Sequence, residues 1–172
     1  MSDPRYPIGP FRPLSAPTSE SRTTCIQQIA EAPALIRAAV SGLTDAQLET
    51  PYRPGGWTLR QVLHHVPDSH MNAYCRFKFG LTEDNPTIKA YDEAAWANVA
   101  DTARTPVDVS LTLLDALHQR WVVLLESMAA ADFARTLQHP ERGQVTLDWM
   151  LQLYAWHGKH HVAHVKMVKE SK

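Results

Sequence analysis

The stretch Leu147-Asp-Trp-Met-Leu-Gln-Leu-Tyr-Ala-Trp-His-Gly-Lys-His-His-Val-Ala-His-Val-Lys-Met-Val-Lys169 decides the fold. Met150, Leu153, Tyr154, His157, His161, Val165 and Val168 recur at helical spacing, which sets them along one side of an α-helix. Thr146 stands where an N-cap belongs, and lysines gather at the far end, where the helix dipole favours cations. A helix of this length with one apolar side needs partners to bury it, so the rest of the chain must supply them.

Working upstream, Leu111, Leu114, Leu117, Trp121, Leu124, Leu125 and Met128 predict a helix from about Val107 to Ala130. Thr58 and Gln61 form a capping-box pair that opens a helix running to about Leu81 and carrying His64, His65 and His70. Ile26, Ile29, Ile36 and Val40 predict another helix from Thr18 to about Val40, with Pro33 expected to kink it. Four long helices imply an all-α, four-helix bundle.

The connections are readable too. Thr44-Asp-Ala-Gln47 is another capping box and predicts a short helical turn, and Pro54-Gly-Gly-Trp-Thr58 is a loop. Asp84-Asn-Pro86 ends a helix, and Asp92 to Asn98 is expected to form a short one. His139-Pro-Glu-Arg-Gly143 has a turn signature between strand-capable pieces, which predicts a small hairpin. Pro4, Pro7, Pro10, Pro13 and Pro17 exclude a helix over residues 1–17, leaving an extended arm ahead of a single domain spanning 18–172.

Composition removes several function classes. A chain of 172 residues fits one domain, and 17 basic against 18 acidic residues leave no field to attract nucleic acid or an anionic membrane. Cys25 and Cys75 are far apart and form no CxxC, so they read as reduced thiols, and a cytoplasmic setting is expected. No stretch reaches the roughly 20 apolar residues of a membrane span, and no signal-like apolar region follows the N-terminus.

The chemistry lies in the histidines. Trp156-His-Gly-Lys-His-His-Val-Ala-His164 packs four imidazoles into eight residues. Residues four apart share a helix face, so His157 with His161, or His160 with His164, can converge on one metal ion. At about 100° per residue His157 and His161 fall with Met150, Leu153, Tyr154 and Val168, whereas His160 falls to the flank. The first pair is the better inward pair, and the second stays open as the alternative. Histidines on a solvated face would give the same spacing without a metal. A zinc-protease motif is excluded, because Gly158 stands where its glutamate base belongs.

A third ligand must come from a facing helix, which makes the His64-His65 helix the donor. His65 shares its side with Thr58, Gln61, Asp68, Ser69, Asn72 and Arg76, and His64 points away. Asp68, Asn72 and Arg76 are pocket candidates on that stripe, as proton relay, polar anchor and anion clamp. Trp57, Trp96, Trp121 and Trp156 read as core.

With these residues in view, the chain resembles the DinB/YfiT superfamily. The likeness is to its YfiT branch of metal-dependent hydrolases, which includes bacillithiol S-transferases. The resemblance spans nearly the whole chain. It rests on Tyr6-Pro-Ile-Gly9, Pro51-Tyr-Arg-Pro-Gly-Gly-Trp57, His64-His-Val-Pro-Asp-Ser-His-Met-Asn72, Arg76-Phe-Lys78, Leu81-Thr-Glu-Asp84 and Tyr154-Ala-Trp-His-Gly-Lys-His-His-Val-Ala-His164. It implies a DinB-type four-helix bundle, a homodimer, and one zinc or nickel ion per chain held by His65, His157 and His161. Pro67 departs from the family pattern, which has a small helix former there. It removes the amide that would bond the Leu63 carbonyl, so a kink beside His65 is expected.

Three neutral imidazoles leave coordination positions open for water or a small-molecule substrate. Two enzymatic readings follow: a metal-dependent hydrolase, or an S-transferase that presents a low-molecular-weight thiol as thiolate. The resemblance favours the transferase. A third reading, a non-enzymatic metal sensor, would bind metal and a partner without turnover.

Overall fold

The computed structural model describes residues 3–170; residues 1–2 of the expected arm and 171–172 of the expected domain lie outside the described residues. Four long helices form the body: α1 (Ser19–Val40), α3 (Leu59–Thr82), α6 (Val107–Glu126) and α8 (Leu147–Glu170). Short helices α2 (Asp45–Leu48), α4 (Glu93–Trp96), α5 (Ala100–Arg104) and α7 (Ala130–Phe133) fill the connections. Strands β1 (Thr136–His139) and β2 (Gly143–Thr146) make an antiparallel hairpin in which Thr136 pairs with Thr146 and His139 with Gly143.

Helix starts follow their capping residues. The side chains of Thr18, Thr44 and Thr58 each accept from the amide three residues on, and Ser21, Gln47 and Gln61 return the bond. Thr146 Oγ1 accepts from the Trp149 amide at 3.1 Å, so the last residue of β2 is also the cap that launches α8. The third long helix stops at Glu126, four residues before the expected end. Ser127 Oγ donates to the Leu124 carbonyl, and Asp132 caps the Ala129 amide to start α7 as a separate turn.

The expected kinks do not interrupt α1 or α3, which run unbroken through Pro33 and Pro67. Both prolines are buried among packed helices, which hold the chain helical even though each ring deletes one hydrogen bond.

Helix α1 packs against α6 and α8, and α3 packs against the same two. The chain-consecutive pair α1 and α3 therefore sits at opposite corners, unlike a simple up-and-down bundle. Residues 3–17 form no helix or strand, and from Pro4 onward they meet α8. Trp156 Nε1 donates to the Gly9 carbonyl, Leu14 N donates to Gln152 Oε1, and Phe11 packs on Trp149 and Trp156.

The core is divided. One cluster gathers Ile29, Phe77, Trp121, Leu125, Leu147 and Leu151, and the other Ile36, Leu63, Val66, Leu114, Val162 and Val165. Between them each of three long helices interrupts its apolar stripe with histidine: His70 on α3, His118 on α6, and His157, His160 and His161 on α8. A polar layer inside a helical core is costly unless its members are hydrogen-bonded. No helix among the described residues is long and apolar enough to cross a membrane.

Candidate metal centre

Helix α3 brings in His65 and α8 brings in His157 and His161, one turn apart. His65 Nε2 lies 3.4 Å from His157 Nε2, and His161 Nε2 lies 3.2 Å from the same atom. One ligand-capable atom from each of the three side chains falls within 4.8 Å of the other two. Nitrogens bound at about 2.0–2.1 Å to one tetrahedral ion are about 3.3–3.4 Å apart, so the arrangement fits a single divalent cation.

Electrostatics suit the same role. Burial pushes His65 down to about 4. Burial, then the facing imidazoles, hold His157 and His161 well below the usual 6.5. All three are neutral at neutral pH, as ligation requires.

His160, His161 and His164 form a second group close enough to share an ion. Its members line the same cavity, but His164 is already committed elsewhere. His164 has both nitrogens engaged, Nδ1 at 3.3 Å from His161 Nδ1 and Nε2 at 3.2 Å from the Pro4 carbonyl. His160 stacks on Trp156 with ring centroids 4.3 Å apart. His64 faces elsewhere, its Nδ1 at 2.7 Å from Ser110 Oγ on α6.

A cavity of about 520 Å³ opens onto His65, His157 and His161. Its volume lies within the range of small-molecule sites. Of the three pocket candidates on the His65 stripe, Arg76 lines this cavity, whereas Asp68 and Asn72 do not. Asn72 Nδ2 instead donates to the Asp68 backbone carbonyl. Arg76 Nη2 donates to the Lys89 carbonyl at 3.0 Å, which holds its guanidinium in place. Arg53 from the Pro-Gly-Gly loop and Arg142 from the hairpin turn also line it, with Glu93 and Glu141 as the carboxylates. The tryptophans divide. Trp121 is core, but Trp57 packs edge-on to His65 and Trp156 also lines the cavity.

Two buried histidines to which the sequence alone assigned no role connect to the site, His70 directly and His118 through His70. His70 Nε2 lies 3.0 Å from His157 Nδ1, and His70 Nδ1 lies 2.7 Å from His118 Nε2. Each sits on the apolar stripe of its helix, His118 between Leu114 and Trp121 and His70 between Val66 and Ala73. A histidine in the middle of an otherwise apolar stripe was the signal available in the sequence.

Known proteins resemble this chain over nearly its whole length. A family described as the DinB superfamily matches residues 28–165. A Bacillus mycoides protein named "Putative metal-dependent hydrolase" is 52% identical over 170 residues, covering 99% of this chain and 98% of its own. A protein from Bacillus cereus B4264 with the same designation matches at the same identity and coverage. The solved structure of YfiT from Bacillus subtilis, described as "a probable metal-dependent hydrolase with an unusual four-helix bundle topology", has a TM-score of 0.94. It is 45% identical and covers 96% of this chain and 95% of that one.

Proposed function

The chain belongs to the DinB superfamily, and on that premise we propose that it is a metal-dependent enzyme whose divalent ion, zinc or nickel, is held by His65, His157 and His161. The observation that carries this reading is the convergence of three neutral imidazoles, His65 and His161 buried and His157 half-buried, on a cavity large enough for a small-molecule substrate. When bound, such an ion offers an open position that acidifies water or a thiol.

The reaction we propose is transfer of a low-molecular-weight thiol to an electrophile. Arg53, Arg76 and Arg142 line the cavity and suit a cosubstrate that carries carboxylates, which a water nucleophile would not need. Arg76, anchored on the Lys89 carbonyl, binds such a group without first having to order its side chain. Burial pushes the Tyr154 phenol up, so it stays protonated at neutral pH and keeps a hydroxyl hydrogen to offer at the cavity wall. Trp57 and Trp156 line the cavity beside the histidines and offer apolar faces to the electrophile. Hydrolysis of an ester or amide is the second reading, favoured by the names of the relatives. A cytoplasmic homodimer is part of the same proposal.

Metal-loaded protein assayed against small thiols paired with electrophiles, and separately against esters and amides, tests the reading. Conjugation lost on chelation supports the transferase, and ester or amide cleavage alone supports the hydrolase. Silence in both panels with metal bound overturns the enzyme and favours a sensor.

A further inference from the structure

We infer that two hydrogen-bond relays, each ending on a backbone carbonyl, fix His157 and His161 in the one tautomer that can bind a metal through Nε2. His70, His118 and His164 are their positioning residues. The inference rests on the three-imidazole reading and adds the groups that prepare it.

The first relay begins in α1. Pro33 has no amide hydrogen, so the carbonyl of Ile29, four residues earlier, lacks its helical donor. His118 Nδ1 lies 2.6 Å from that oxygen. A carbonyl only accepts, so His118 carries its hydrogen on Nδ1 and presents a bare Nε2. His70 Nδ1, 2.7 Å from that nitrogen, must then donate, which leaves His70 Nε2 bare. His157 Nδ1, 3.0 Å away, donates in turn, and its own Nε2 is left as a lone pair facing His65 and His161.

The second relay begins in the N-terminal arm. The Pro4 carbonyl accepts from His164 Nε2 at 3.2 Å, which leaves His164 Nδ1 as the acceptor. His161 Nδ1, 3.3 Å from it, donates, and His161 Nε2 is bare. Two lone pairs then face each other 3.2 Å apart with no hydrogen between them. That contact is repulsive until a cation occupies it, so the relays ready the nitrogens for an ion before it arrives. The proline-rich arm and the proline inside α1 thereby each acquire a task at the metal centre.

Long-range proton–nitrogen correlation on metal-free, nitrogen-15-labelled wild type reads the tautomers directly. The relays require hydrogen on Nδ1 of His70, His118, His157 and His161, and on Nε2 of His164. Hydrogen on Nε2 of His157 or His161 overturns the inference, because a free neutral imidazole favours that form and the relays would then impose nothing. Zinc affinity by chelator competition provides a second readout. His118→Leu and His164→Leu are expected to weaken zinc about 10- to 100-fold. His118→Gln recovers most of the loss, since an amide can donate to Ile29 and accept from His70. Unchanged affinity in both leucine variants overturns the inference. If either fails to fold, the wild-type spectrum still decides. The required tautomers with no zinc uptake by wild type would uphold the relays and sink the metal reading alone.

Discussion

A Cβ added to Gly158 would lie 2.9 Å from the Ala32 Cβ, so α8 and α1 approach at that point as closely as a glycine permits. The contact is one residue from His157 and sets how deeply α8 carries its ligands into the bundle. Neither partner can rotate out of the way. Gly158→Val is therefore expected to push the helices apart and cost about 1–3 kcal/mol in the metal-free protein, read by denaturant unfolding. A variant as stable as wild type would mean that the close approach is not needed.

The same two helices are tied at one end by Arg22 and Asp148, whose paired contacts measure 2.8 and 2.7 Å. The pair is bidentate and partly buried, a setting in which an ion pair outperforms one at the open surface. A double-mutant cycle through Arg22→Met and Asp148→Asn should return a coupling of roughly 1–2 kcal/mol. Additive single effects would refute it.

Asp68 gives a pH dependence whose sign is fixed. Burial, then the charge of Asp101, raises its carboxyl from 3.8 to about 6. Because the folded value lies above the unfolded one, Asp68 costs nothing below about pH 4 and destabilises increasingly as pH rises through 6. Asp68→Asn should match wild type near pH 4 and exceed it at pH 8, by on the order of 1 kcal/mol after allowing for partial solvent screening. Unfolding curves at the two pH values check this, and an equal gain at both would show that charge is not the cause.

Much of this was legible in the sequence. The four long helices announced themselves through periodicity, two of them also through their caps Thr58 and Thr146, and the turn at His139 to Gly143 indicated the hairpin. Helical spacing puts His157 and His161 on the inward face, and the structure brings them against His65. Asp68 and Asn72 lie on the His65 stripe but not in the cavity. Sharing a stripe with His65 gave direction around the helix but not depth, and the cavity meets α3 only at His65, Ser69 and Arg76. Trp57 and Trp156 were assigned to the core because an aromatic stripe cannot reveal which of its members faces a void. No role could be given to His70 or His118, because their meaning depends on facing nitrogens of other helices. The link from Pro33 to Ile29 to His118 exists only once α1 and α6 have packed.

Metal content per chain, compared among wild type, His65→Ala and His160→Ala after identical loading with zinc or nickel, tests the central claim most directly. His65 belongs only to the proposed centre and His160 only to the competing group. The account predicts close to one ion in wild type and in His160→Ala, and almost none in His65→Ala. Metal retained in His65→Ala but lost in His160→Ala would contradict it.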